Sequence, residues 1–311
     1  MGAAPGSRGW RDAAGDLLVG ASCHGCGAPA WTLCEGCRVE LAASPARPTW
    51  PEPCPAGFPR TWTAGTYDAL ARGLVSAHKE RSALGLTRVL GERLALAVLA
   101  LLDETGVLLP AAGGRPVLLV PVPSARRAVR ARGFDAGLAL ARAAAARLPD
   151  TRAGPLLAPA RRVADQSGLG AAERQANLAG AFRVRRSFPW ASGWATGATR
   201  ATGAVVGTEG SGAAIGTGGT AEGRTASTAV RAAAEARRRA PWVVVVDDVV
   251  TSGASLTEAV RALRSGGVDV LGAATVAATV RRTPPRPTAR SSHGGVAGSS
   301  NPARTNSGQG V

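Results

Sequence analysis

Apolar residues along the chain switch between two periods, and the switches mark its elements. From 67 to 102 they return at helical spacing through Leu86, Leu90, Leu94 and Val98, with a break near Gly85, which predicts one or two helices. "RPVLLVPVP" at 115–123 is a short continuous apolar run closed by proline, the pattern of a buried strand. "FDAGLALARAAAARL" predicts a helix with its N-terminal turn near Asp135, and "GPLLAPARRV" at 154–163 a strand weakened by its prolines. Later, "WVVVVDD", "SLTEAVRALRSGG" and "VDVLGAATVAATV" read as a strand, a helix ending in glycines and a second strand. That order with short turns requires a parallel sheet. The expected fold class is α/β, a parallel sheet flanked by helices.

Where the periods vanish, the chain divides. Residues 1–22 read as a disordered arm, and 23–59 as a cysteine-bearing module with a proline-rich connector, "SPARPTWPEPCPAGFP", that no helix can cross. Residues 60–186 and 241–282 carry the α/β pattern. Between them, 187–240 is a low-complexity insertion of Gly, Ala, Thr and Ser, expected to be disordered, and 283–311 is a tail of the same kind.

With 311 residues and 45% hydrophobic content the chain can bury a sizeable core. The net charge of +16 would suggest a polyanionic partner, but almost all of it is arginine in an Ala- and Gly-rich background, the mark of a base-composition bias. Against that background the one lysine, Lys79, and the amides Gln166, Gln175 and Asn177 stand out. The longest apolar stretch, "LALAVLALL" at 94–102, is far below a membrane span, and no secretory leader is recognisable. The expectation is a soluble, cytoplasmic protein with no membrane span.

The cysteines are spaced Cys23-x2-Cys26-x7-Cys34-x2-Cys37. Two such pairs place four thiolates around a tetrahedral ion, which points to structural Zn2+ with no open coordination position. Disulfides are the alternative, and a reducing compartment disfavours them. Cys54 and His24 are left outside the set.

"PWVVVVDDVVTSGASL" at 241–256 carries the chemistry. A buried parallel strand delivers Asp247 and Asp248 to its C-terminal end, where open α/β sheets bind ligands, and the small residues that follow enter a helix with unpaired amides pointing outward. A phosphate fits that cup. Carboxylates beside it would repel the ligand unless they meet hydroxyls, so the natural ligand is a phosphorylated ribose. A helix cap with an incidental acidic pair is the simpler alternative.

"VVVVDDVVTSGAS" resembles the 5-phosphoribosyl-1-pyrophosphate (PRPP) loop of the type I phosphoribosyltransferases. The four-cysteine finger, the stretch from Tyr67 to Lys79, "VPVPSARRAVRARGFDAG" and "RRVADQSGLGAAERQANLAGAF" are together similar to the ComF/GntX group, associated with competence and DNA uptake. The resemblance implies a type I phosphoribosyltransferase fold with a small N-terminal zinc finger. It implies further that Asp247 and Asp248 hold ribose hydroxyls, that Thr251, Ser252, Gly253, Ala254 and Ser255 hold the 5-phosphate, and that Ser124, Ala125, Arg126 and Arg127 occupy the pyrophosphate-loop position. Lys79, Arg132, Gln166, Arg174 and Asn177 join them as candidate ligand residues. Asp135 stands where that group usually has asparagine, and the insertion at 187–240 is longer than its usual connector.

Two functions follow. In the first, a nucleophile displaces pyrophosphate from C1 of PRPP with Mg2+ on the departing oxygens, a reaction that needs positioning and charge stabilisation more than a protein nucleophile. In the second, the ligand cup is kept without turnover, in a regulatory module with a DNA or DNA-uptake protein partner.

Overall fold

The structure, a computed structural model, describes residues 21–107, 115–161, 163, 170–185 and 240–279. The expected tail, the expected insertion but for residue 240, the expected arm but for Ala21 and Ser22, and Gln166 lie outside these residues. In chain order the elements are α1 (Glu35–Ala43), β1 (Arg47–Pro48), β2 (Thr61–Thr63), α2 (Ala69–Glu80), α3 (Leu86–Glu104), β3 (Val117–Pro121), α4 (Arg126–Arg132), α5 (Ala136–Ala145), β4 (Thr151–Ala153), β5 (Leu157–Pro159), α6 (Ala171–Leu178), β6 (Phe182–Val184), β7 (Trp242–Val250), α7 (Ala254–Ser265) and β8 (Val270–Ala278).

Six strands form one sheet in the order β1-β2-β8-β7-β3-β4. The β1–β2 pair is antiparallel and the others are parallel, so the sheet is mixed but mainly parallel and flanked by helices. β7, one of its two central strands, is in register with β3 through Val245 opposite Val120 and Val246 opposite Pro121. Branched side chains suit a strand covered on both faces, and alternation decides where each valine goes. Val244 and Val246 enter a core with Leu74 of α2, Leu94 and Leu101 of α3 and Leu140 of α5. Val243 and Val245 enter the opposite core with Leu178 of α6, Phe182 of β6 and Leu263 of α7.

On the first face α3 and α5 pack so closely that a Cβ at Gly91 would come 2.4 Å from the Cβ of Ala143, which excludes any larger residue there. The cysteine module joins this core as well: Cys23, Leu33 and Cys37 are buried in the same cluster as Leu70 of α2. Arg93, itself buried, donates to the carbonyls of Ser44 and Ala64 and so ties the end of the module to the loop after β2.

The helical period at 67–102 resolves into α2 and α3 on either side of Gly85, and Asp135 caps α5 by accepting from Leu138 N at 3.2 Å. Two elements differ from the expectation. The run at 154–163 gives β5, but it pairs antiparallel with β6 in a separate two-stranded sheet, and β4 takes the edge of the main sheet instead. Pro155 and Pro159 cannot donate to a ladder with neighbours on both sides, so this segment belongs where one side is free. Helix α4 has no buried residue, hence no apolar period by which it could be found.

Candidate functional site

The site begins where β7 leaves the core. Asp247 follows the alternation onto the face of α7, and Asp248 turns to the face of α2. Asp248 is 4% exposed, and its Oδ2 lies 2.6 Å from Lys79 Nζ at the end of α2, while Oδ1 accepts from Val249 N at 2.8 Å. Lys79, a candidate ligand residue by resemblance, is here the counter-ion of the second aspartate. Burial alone would lower its ammonium, but the Asp248 and Asp247 carboxylates outweigh burial and hold it above its ordinary value.

The neighbours fix this end of α2. Arg132 Nη1 donates to Lys79 O at 3.3 Å. His78, 1% exposed, contacts Thr87 Oγ1 at 2.9 Å through Nε2 and meets the Phe134 ring edge-on at 5.5 Å. Burial pushes the His78 imidazole below its usual range, so it stays neutral beside Lys79.

Asp247 makes no ion pair of its own among the described residues and feels Lys79 only at longer range. Its Oδ1 accepts from Asp248 N at 3.0 Å, and burial first, then the Asp248 carboxylate, push it up to about 8. The pair therefore presents less negative charge than two free carboxylates, Asp248 through its ion pair and Asp247 through its raised carboxyl. The repulsion expected between an acidic pair and a phosphate cup is thereby lessened.

The cup itself is the turn 251–253 into α7. Gly253 caps the helix at φ +74°, and no side chain caps the first amides. A Cβ at Gly253 would come 2.7 Å from the Phe58 ring and 2.9 Å from Pro51 Cγ, so both the conformation and the packing demand glycine. The proline-rich connector thus lies against the cup, a contact no local sequence pattern announces. Thr251 is exposed and Ser252 and Ser255 are half-buried.

The second loop follows β3, the neighbour of β7, and Val122 N donates to Val246 O at 3.0 Å. Ser124 Oγ donates to Asp135 Oδ1 at 3.0 Å, while Ala125, Arg126 and Arg127 are exposed at the start of α4. Arg174 and Asn177 lie on α6, on the opposite face of the sheet from Lys79. Arg174 Nε is buried with no hydrogen-bond partner among the described residues, and Asn177 O accepts from Arg161 Nη2 at 2.7 Å.

Apart from this site, the ligand sulfurs of Cys23, Cys26, Cys34 and Cys37 all lie within 4.8 Å of one another. A tetrahedral Zn–S4 centre has sulfurs about 3.8 Å apart, so the four thiols fit the ion. The Cys26 and Cys34 sulfurs are 3.5 Å apart, too far for a disulfide. Cys23 Sγ accepts from Gly25 N and Cys34 N, each at 3.3 Å. Burial pushes the Cys23 thiol up, but backbone donors led by Cys34 N outweigh it and bring the thiol down to about 6, an environment made for a thiolate. Cys54 is exposed and outside the cluster.

Residues 185–293 match the family model described as the phosphoribosyl transferase domain. That segment is similar to a phosphoribosyl transferase domain. The match spans about a third of the chain and contains β7, the 251–255 turn, α7 and β8. No curated protein matches the chain. Among the described residues no helix is long and apolar enough to cross a membrane.

Lys79→Met leaves the Asp248 carboxylate buried without its cation. The expected cost is about 1–3 kcal/mol of folding stability, and Lys79→Met combined with Asp248→Asn should recover part of it. Chemical denaturation of the three proteins checks both statements.

Proposed function

We propose that the chain binds PRPP and transfers its phosphoribosyl group with release of pyrophosphate, in the manner of the ComF/GntX group, whose motifs it carries in order. The observation that supports this best is the acidic pair at the mouth of a helix-start cup, one member held by Lys79 at 2.6 Å, with the phosphoribosyl transferase match over the same residues. In this reading the 5-phosphate sits on the amides of Thr251 to Ser255. Asp247 meets a ribose hydroxyl, while Asp248, held by Lys79, braces the turn. Ser124 to Arg127 take the pyrophosphate, assisted by the nearby charge of Arg132.

The lone pair of an acceptor nitrogen forms the bond to C1, the bond from C1 to pyrophosphate breaks with its electron pair on the leaving oxygen, and any proton on the nitrogen passes to water or pyrophosphate. Mg2+ brought in with the ligand would supply charge neutralisation for the departing oxygens. The finger supplies no chemistry to this step. Its four cysteines hold Zn2+ as a structural centre, and in a competence setting a DNA or DNA-uptake protein partner would meet other surfaces.

Calorimetry with Mg2+ and PRPP between pH 7 and 9 tests the ligand site. Asp247→Ala should weaken PRPP about tenfold, the loss of one hydrogen bond of roughly 1–1.5 kcal/mol. An anionic ligand prefers the protonated carboxyl, so wild-type affinity should fall as pH rises through about 8, whereas Asp247→Asn, neutral throughout, should show no such fall. Pyrophosphate release with a panel of nitrogenous acceptors then separates turnover from binding alone. Wild-type protein that ignores millimolar PRPP would refute the proposal.

The finger is tested by elemental analysis, with about one equivalent of zinc expected. Chelation or Cys34→Ser should unfold residues 23–44 and expose the core surface around Leu70. A stoichiometric disulfide with no metal would overturn that assignment.

A further inference from the structure

The four-cysteine cluster has a sheltered side and an open one. Cys23 and Cys37 are buried, Cys34 is half-buried and Cys26 is exposed. Both amides aimed at the cluster, from Gly25 and Cys34, go to Cys23 Sγ at 3.3 Å, so burial and hydrogen bonds protect the same side. On the open side the Cys26 and Cys34 sulfurs stand 3.5 Å apart. A movement of about 1.5 Å would bring them to disulfide distance. The fifth cysteine, Cys54, is exposed in the connector, outside the cluster.

The sheltered side is pressed against α2. A Cβ at Gly25 would come 2.6 Å from Leu70 Cδ1 and 2.7 Å from Cys37 Sγ, so knuckle, thiol and helix leave no room between them. Leu74, one turn after Leu70, is fully buried in the same cluster as Cys23 and Cys37. The last turn of that helix carries Lys79, the counter-ion of Asp248. Where the module ends, Arg93 holds Ser44 O, and the connector that follows sets Pro51 and Phe58 against Gly253. Opening the cluster therefore removes packing from α2 and slackens the connector at the cup.

We propose that Cys26 and Cys34 form an oxidation site whose reactant is a peroxide, and that their disulfide uncouples the module from the ligand site. The exposed Cys26 thiolate attacks one peroxide oxygen. The O–O bond breaks with its electron pair on the other oxygen, which takes a proton and leaves as water, and Cys26 becomes a sulfenic acid. The Cys34 thiolate then attacks the Cys26 sulfur, and the S–O bond breaks with loss of hydroxide, which a second proton converts to water. Two thiolates have lost two electrons and the peroxide has become two waters. The disulfide leaves Zn2+ only Cys23 and Cys37, too few for a closed tetrahedral site. The effect on ligand binding rests on the PRPP reading; the oxidation site rests on the cluster alone.

Titrating the reduced, zinc-loaded full chain with hydrogen peroxide tests this, with zinc release followed by a chelating dye, disulfides mapped by mass spectrometry and hydrogen exchange read over α2. About one equivalent of zinc should leave as a Cys26–Cys34 disulfide forms, and exchange over residues 69–80 should rise about tenfold or more. PRPP affinity should fall in step by about tenfold or more, and dithiothreitol with added zinc should restore all three. Cys54→Ser should respond as the wild type does. Cys26→His, which keeps a metal ligand but cannot form the disulfide, should hold its zinc against peroxide; should it fail to fold, the disulfide map of the wild type still decides. Zinc that stays bound under peroxide, or a disulfide that excludes Cys26 or Cys34, would overturn the oxidation site. Unchanged exchange over α2 after zinc release, or PRPP affinity that survives the rise in exchange, would overturn the coupling. A rise in exchange in protein that never binds PRPP would sink the transfer reading and keep the oxidation site and its effect on α2.

Discussion

A buried carboxylate at the end of a central strand is tolerable only if its charge is met, and the Lys79–Asp248 contact at 2.6 Å meets it. The contact does more than compensate for burial. It links the tip of β7, from which the ligand loop departs, to the last turn of α2 on the far side of the sheet. Neutral His78 next to Lys79 avoids a competing positive charge, and Arg132 holds the carbonyl at which α2 ends. With Asp248 neutralised by Lys79 and Asp247 held protonated by burial, the acidic tip can face an anionic ligand.

Much of this was legible from the order of residue types. The valine run, its alternation and the helix after "TSGAS" are fixed by local patterns that the tertiary structure leaves intact, and so are α2, α3 and the Asp135 cap. Cysteine spacing likewise specifies a four-sulfur cluster, because x2 turns bring paired thiols together wherever the chain goes next. The unseen features arise from packing between distant segments. Nothing near Lys79 points to Asp248, 169 positions away in the sequence. Helix α4 buries nothing and so carries no period, and β5 reads like any short apolar strand until its prolines meet the question of which edge it can occupy. Arg185 is one arginine among many, and only its place over Leu157 distinguishes it.

The cysteine module reaches the site by two routes. It shares a core with Leu70 on α2, the helix that ends in Lys79, and its connector sets Pro51 and Phe58 against Gly253 at the start of the cup. The module therefore bears on the position of both halves of the proposed ligand site. This explains why glycine is required at 253 on packing grounds as well as conformational ones, and why a larger residue there would disturb the connector before any ligand arrived.

The central claim is that the two aspartates divide their work, Asp247 meeting the ribose and Asp248 remaining with Lys79. A crystal structure of the full chain with Mg2+ and PRPP tests it most directly. The account predicts the 5-phosphate on the amides of residues 251–255, a ribose hydroxyl within hydrogen-bond distance of Asp247, and the Lys79–Asp248 ion pair intact. PRPP bound elsewhere, or Lys79 withdrawn from Asp248 to a phosphate, would contradict it.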